Sequence, residues 1–383
     1  MDLNNSLRLV SLEYVAVDGS LPTPCPRGKD KFVEVSEYAL DSIMPEDWDW
    51  DGSSTNQAEG YDSDKVLRPV RAYNNPFESN GRLILCEVMN FDNSPHVSNS
   101  RRHLGDAVLK LMKTGIWMAA EQEYFILQRE PGMPVDLNAS GILVGFSSIE
   151  EAAEAQMKQY KQGGDYCSAT NIVNEIMRLH RVLCHAAGIF VCGTNAEVAP
   201  AQGEFQILAK DPLKFADDLT IARYLLLKLC AVKGVTLSLR PKLRDSLNGS
   251  GAHVNFSDEN MRDSKEGLNY VYQAREKLEV NYKEVIKVCG AYNEFRLTGD
   301  HETAKISSFN RGKDKSDRGV GDRGASARIP RSTYQNGYGR CELRSPAANM
   351  DPYKVATAII EAVWGSGFNA ESHGWTHPDY KYI

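Results

Sequence analysis

Residues 119–127 read "AAEQEYFIL", an apolar run interrupted by Glu121 and Glu123. In a β-strand, alternate side chains share a face. Glu121 and Glu123 then point one way and Gln122 the other. Two like charges at about 4 Å and an effective dielectric near 20 repel by roughly 4 kcal/mol. A strand carries that load in one of two ways. It is an exposed edge whose acids stand in water, or something positive sits between the acids.

Other parts of the chain supply similar groups. Residues 195–207, "NAEVAPAQGEFQI", place Glu197 and Glu204 on either side of a Pro-containing turn. Residues 248–257, "NGSGAHVNFS", put His253 on an apolar-flanked segment, and "GRCELRSP" at 339–346 sets Glu342 beside Arg344. Each alone reads as an ordinary structural residue; a His in an apolar strand is usually a satisfied core group. If these strands share one sheet, five carboxylates and one imidazole converge. Ionised carboxylates in one concave site need divalent cations, about two, to be tolerable. Donors that are nearly all oxygen favour Mg²⁺ or Mn²⁺ over zinc. Arg296, Arg323, Arg328, Arg331 and Arg344 crowd the C-terminal half. Metals with arginines are the parts that neutralise a phosphoryl group in transfer, although there is no P-loop and no kinase catalytic-loop pattern.

The surrounding chain reads as α+β. "LRLVSLEYVAV" at 7–17 and "RLILCEVMNF" at 82–91 have strand composition. Between them "DWDWDGSSTNQAEGYDSDKVLRPV" reads as a long loop in a small N-terminal β-rich unit, with Trp48 and Trp50 favouring order. A second unit starts near residue 97. Helical period covers roughly 169–187, 218–233, 267–290 and 352–364, with Val355, Ile359, Ile360 and Val363 on one face and Gly365 as a stop. Strand-like pieces fall at 117–127, 189–207, 251–257 and 340–344. We therefore divide the chain into residues 1–96 and 97–383. Gly319, Gly321 and Gly324 match G-x-G-x-x-G but follow the charged loop "NRGKDKSD", so they lack the preceding strand that a dinucleotide fingerprint requires.

Bulk properties narrow the function classes. The chain of 383 residues is 42% hydrophobic and carries a net charge of -7, which gives no basic footprint for nucleic acid or an anionic membrane. No apolar run has membrane-spanning length. The opening "MDLNNSLRLV" has no signal-peptide pattern. Eight cysteines without a CxxC pair read as reduced thiols of a cytoplasmic protein.

Taken in order, "DGSST…AEG", "EQEY", "AEVAPAQGEFQ", "NGSGAHVNFS", "RLTGDHET", "DRGASARIPR" and "ELRSPAANMDPY" resemble glutamine synthetase of the eukaryotic-like type II. The likeness spans roughly residues 48–353. It implies a small β-grasp N-terminal domain and a larger catalytic domain with a curved antiparallel sheet flanked by helices. It implies glutamine formation from L-glutamate, ammonium and ATP, with two or three Mg²⁺ or Mn²⁺ per site. It also implies a homo-oligomer of stacked rings, a decamer, with active sites shared between subunits.

Carried over motif by motif, Glu123, Glu197 and Glu204 would hold the metal near glutamate, and Glu121, His253 and Glu342 the metal on the ATP phosphates. Asn248, Gly249 and Arg296 would bind glutamate, with Glu302 on a flap over it. Arg323, Arg328 and Arg344 would clamp phosphate, with Arg323 and Arg344 also reaching the substrate. The nucleotide side would take in Glu121, Glu204, Asn255, Phe256, Ser257 and Arg340. Asp51 of a neighbouring subunit would deprotonate ammonium. Departures from the family pattern are Leu247 and Gly203 where Trp is usual, Leu208-Ala209 for Gly-Pro, Arg340 and Cys341 where aromatics are expected beside adenine, and an apparent insertion at 311–317. The two Trp losses leave open a γ-glutamyl ligase for a different amine, and a non-catalytic scaffold is the third reading.

Overall fold

The computed structural model describes residues 7–36, 44–113, 115–161, 171–300, 304, 305, 307, 309 and 319–375. Glu302, Cys167 and the 311–317 insertion lie outside the described residues. The N-terminal unit is a five-stranded sheet of β1 (Leu7–Val17), β2 (Pro26–Ser36), β3 (Trp48–Asp51), β4 (Asp64–Asn74) and β5 (Gly81–Met89), ordered β2-β1-β5-β4-β3. β1 runs parallel to β5, and the other pairs are antiparallel. The segment read as one long loop at 47–70 therefore contains β3 and most of β4. Its Asp and Ser density marks only the turn at 52–63. Period 2 assigns the two faces of β1. Val10, Leu12, Tyr14 and Ala16 build a small core with Trp50, Leu67, Ile84 and Val88. Val15 on the other face joins Leu83, Leu85 and Tyr73 in the main core of the molecule.

The second unit holds β6 (Trp117–Gln128), β7 (Val191–Ala196), β8 (Gln202–Ala209), β9 (Val235–Ser238), β10 (Ala252–Ser257), β11 (Ala327–Arg328) and β12 (Cys341–Leu343) in a seven-stranded sheet. Its main path runs β11-β12-β10-β6-β8-β7, with β9 paired to β6, and every pairing is antiparallel. The strand expected over 189–207 is two strands, broken by the turn at 197–201.

Helices α1 (Ser100–Leu111), α2 (Ile149–Lys161), α3 (Asn171–Ala186), α4 (Pro212–Val232), α5 (Gly267–Val285), α6 (Arg331–Asn336) and α7 (Pro352–Val363) accompany the sheet. α4 starts six residues before the expected 218 because Asp211 caps it, accepting from the Lys214 N–H at 2.6 Å, and Pro212 opens the first turn. It is buried nearly all round, so polar periodicity does not mark its start.

α4 also fixes the N-terminal sheet to the second unit. Buried Glu13 of β1 accepts from Lys228 Nζ at 2.7 Å and from Tyr224 Oη. Buried Asp217 accepts from Arg71 and Arg101, both at 2.8 Å, and from Tyr353 at 2.9 Å. Each acid is fully partnered, which buried charge requires.

Candidate metal and substrate site

The strands answer the question raised by "AAEQEYFIL". Glu121 and Glu123 share one face of β6. On the opposite face Gln122 is wholly buried, and its Oε1 accepts from Arg223 Nε at 2.9 Å and NH2 at 2.6 Å on α4. The alternation therefore anchors the strand to the core while presenting two acids to the other side. Register fills in the rest. Glu204 on β8 stands opposite Glu123, His253 on β10 opposite Glu121, and Glu342 on β12 opposite Asn255. Glu197 arrives from the turn between β7 and β8.

The acids divide into two triads. Glu121, His253 and Glu342 offer ligand atoms within 4.8 Å of one another, and so do Glu123, Glu197 and Glu204. The two are electrically different. Burial pushes the Glu121 carboxyl up, but hydrogen bonds from His253 (3.3 Å) and Asn255 (2.9 Å) and the charge of Arg344 prevail and bring it to about 2. Glu342 accepts from Arg328 at 3.1 Å and from Arg344. His253 is held below its ordinary value by burial and then by Arg344. In the other triad, burial and then the Glu197 charge push Glu123 up to about 8. Glu204 lies well above its ordinary value through burial and the neighbouring acids, and Glu197 is raised chiefly by burial. Three carboxylates in one buried place resist ionisation together. A divalent cation reverses that preference, and an all-oxygen triad suits a hard ion. The donor sets thus fit two such ions.

Around the triads, Arg296 is buried and its NH2 spans the carbonyls of Arg344, Ser345 and Pro346 at 2.8–3.0 Å. Burial lowers it to about 10 while Glu123 pulls the other way. It packs so closely on the "NGSG" loop that a Cβ at Gly249 would meet Arg296 Cγ at 2.4 Å, so the loop needs glycine there. Arg344 Nε donates to the Arg323 carbonyl at 2.9 Å, and the Arg323 charge reaches Glu197. Asn255 and Ser257 lie on the site face of β10. The Phe256 ring lies on the opposite face, in the core and edge-on to Trp364, while the residue also borders the recess beside Asn255 and Ser257. Asp51 is exposed on the N-terminal sheet, where hydrogen bonds from Ser53 and Ser54 hold it at about 2.

Supporting residues that the motifs did not flag are now visible. Gln202, 1% exposed, donates to Glu123 Oε2 at 3.0 Å and to the Gly249 carbonyl at 3.0 Å, and the Gly251 N–H adds a third contact at 2.9 Å. Gln156 on α2 accepts from the Asn248 N–H at 2.8 Å. Trp117 lines a recess of ≈ 320 Å³ with Leu208, Asn255, Ser257, Tyr338 and Arg340. Gln202 lies inside the motif "AEVAPAQGEFQ", two residues before Glu204 and so on the same strand face, which is the one signal available for it; Gln156 lies in a helix that carries no motif.

The departures from the family pattern fall in different places. Leu247 is fully buried in the main core. A Cβ at Gly203 would meet Tyr124 Oη at 2.9 Å and Met177 Sδ at 3.2 Å, so that position faces the core too. Leu208 and Arg340 line the recess. The Gly-rich stretch turns on left-handed Gly319 and Gly321 and leads into β11 rather than a helix, so it is not a dinucleotide fingerprint. The seven cysteines among the described residues are free, all but Cys192 buried. Among the described residues no helix is long and apolar enough to cross a membrane.

An antiparallel sheet carrying two acidic triads beside converging arginines has the donor groups of an enzyme site that could hold divalent cations next to an anionic substrate. The description "Glutamine synthetase, catalytic domain" matches residues 98–371. The chain is 39% identical over 356 residues to a glutamine synthetase of Bradyrhizobium diazoefficiens, covering 92% of this chain and 95% of the relative. It is 37% identical over 360 residues to one of Agaricus bisporus, covering 92% of each. It is 38% identical over 369 residues to a putative glutamine synthetase of Acanthamoeba polyphaga mimivirus, covering 94% of this chain and 96% of that one. The chain belongs to the glutamine synthetase family, the glutamate–ammonia ligases.

Proposed function

We propose that the chain joins ammonia to L-glutamate through a γ-glutamyl phosphate, with ATP as phosphoryl donor and Mg²⁺ or Mn²⁺ in both triads. The observation that carries this reading is the pairing of two triads on one sheet face, one made wholly of carboxylates and one braced by arginines. Glu123, Glu197 and Glu204 hold a cation toward glutamate. Glu121, His253 and Glu342 hold one toward the nucleotide. The cations supply Lewis acidity, which a carboxylate electrophile needs. Arg323, Arg328 and Arg344 gather the charge of the moving phosphoryl group. Asn248, Gly249 and Arg296 seat glutamate, and Glu302 is assigned to the same substrate. Asn255, Ser257 and Arg340 serve the nucleotide.

Asp51 takes a proton from ammonium in a neighbouring subunit of a stacked-ring oligomer. Its exposure on a single chain suits a group that meets its substrate across an interface, and its lowered pKa keeps it ionised, so that it attracts the ammonium cation. We read the N-terminal sheet as a β-grasp domain, the catalytic sheet as curved, the boundary as residue 97, and the protein as cytoplasmic.

Ammonium rather than a larger amine is favoured because Leu247 and Gly203 face the core, so losing Trp at either position widens no wall of the site. ADP release that requires both glutamate and ammonium tests the assignment. Release without ammonium dependence, or faster with methylamine or ethanolamine, overturns it. Asp51→Ala should slow amide formation more than acyl-phosphate formation, and equal losses would remove its role as base.

A further inference from the structure

The recess beside the Glu121 triad contains two arginines in contrasting states. Arg262 is committed: NH1 donates to Ser257 Oγ at 2.8 Å, NH2 to the Gly115 carbonyl at 2.7 Å, and its guanidinium lies 4.2 Å over the Trp117 ring. Arg340 is exposed, and its Nε donates to Asn255 Oδ1 at 2.8 Å. Among the described residues its two terminal nitrogens enter no hydrogen bond and no ion pair, and no carboxylate lines the recess.

Position decides what the free end of Arg340 meets. Asn255 donates its other amide edge to Glu121 Oε1 at 2.9 Å. The guanidinium therefore stands two hydrogen bonds from a metal-triad acid. On its other side lie the apolar and aromatic walls of the recess, Trp117, Leu208 and Tyr338. A nucleotide whose base enters those walls and whose terminal phosphates reach the triad must pass its first phosphate between them. A guanidinium is a rigid planar fork of donors that matches phosphate oxygens, and a nucleobase edge offers it fewer acceptors.

We propose that Arg340 binds the phosphate nearest the ribose of the bound nucleotide, rather than its base, and that Asn255 positions it for this. The inference rests on the nucleotide reading of the site given above.

Calorimetric titration of the full chain with ADP and with adenosine, both with Mg²⁺ present, tests the proposal. Arg340→Gln should weaken ADP about tenfold or more, as loss of a charged hydrogen bond does, and leave adenosine within about twofold. Arg340→Lys keeps the charge but not the fork and should fall between. Because the side chain is exposed, the melting midpoint of both variants should match that of the parent. Equal weakening of ADP and adenosine would overturn the proposal in favour of a base contact. Unchanged ADP affinity in Arg340→Gln would overturn it outright, while leaving glutamate- and ammonium-dependent ADP release by the parent chain intact. A parent chain that neither binds ADP nor releases it would overturn the ligase reading together with this one.

Discussion

The two triads sit on one sheet face yet solve the problem of buried acid in opposite ways. In the first triad Glu342 is paired with Arg328 and Arg344, and Glu121 accepts from Asn255 beside His253 and within reach of the Arg344 charge. Glu123, Glu197 and Glu204 have amide donors, Gln202, Asn195 and Gln206, but no side-chain ion pair among the described residues. Amides orient a carboxylate without cancelling its charge. The first triad is therefore prepared for ions in advance. The second is left without a compensating cation of its own, and burial with mutual repulsion pushes its acids upward.

Removing single acids should expose this contrast most strongly. Glu123→Ala should lower turnover about a thousandfold, because charge stabilisation at the reacting carboxylate disappears. It should lower the metal-free melting midpoint less than Glu121→Ala does, since losing the acceptor for Gln202 and the Gly251 N–H is offset by removing a buried acid beside Glu197 and Glu204. Glu121→Ala should also abolish turnover and lower that midpoint further, since His253 and Asn255 lose their shared partner. Midpoints measured without metal decide the matter. A fall in Glu123→Ala as large as that in Glu121→Ala would erase the distinction between the triads.

Proton release is the next measure. Mn²⁺ added at pH 7 in weak buffer should liberate protons from the all-carboxylate triad, and Glu123→Gln should reduce the release by about one. A release unaffected by that substitution would mean that Glu123 is already ionised.

Stability against pH gives a smaller effect of defined sign. From its ordinary value of 4.5 up to about 8, Glu123 keeps its proton in the folded chain and has lost it in the unfolded one. The stability this confers is therefore lost as pH rises through that window. Glu204, also raised, acts in the same direction. The metal-free melting midpoint should fall across the window, and saturating Mn²⁺ should flatten the curve. Glu121, brought to about 2, contributes in the opposite sense and only in acid, its stabilisation fading as pH falls from 4.5 toward 2.

The smallest change concerns the strand that supplies Glu204. Gly203→Ala should destabilise the fold by about 1–3 kcal/mol through overpacking against Tyr124. The preference for ammonium over methylamine should stay unchanged. A shift in amine preference would place Gly203 at the cavity and reopen the alternative amine.

The legible part of the site was local. Glu121 and Glu123 two apart on a strand, and Asn255 and Ser257 two apart on another, declare their shared faces by parity alone. β1 was readable in the same way, and α7 nearly so, because their apolar periods match their geometry. Parity also assigns Phe256 to the core face, once neighbours decide which face is which. What escaped reading had no local signature. β3 and β4 were hidden in polar sequence because their partners lie in distant segments, and α1 and α2 carry their apolar faces among many charges. Gln202 and Gln156 are uncharged amides whose importance lies in what they touch.

By itself, then, the sequence determined the inventory: which side chains alternate, which acids and arginines are available, and which ordered motifs place the chain in its family. Only the tertiary structure decided the sorting of five carboxylates into a braced triad and an unbraced one, and the turning of Leu247 and Gly203 toward the core. Those outcomes depend on antiparallel register between strands far apart in the chain. A one-residue slip in that register would send every acid to the other face.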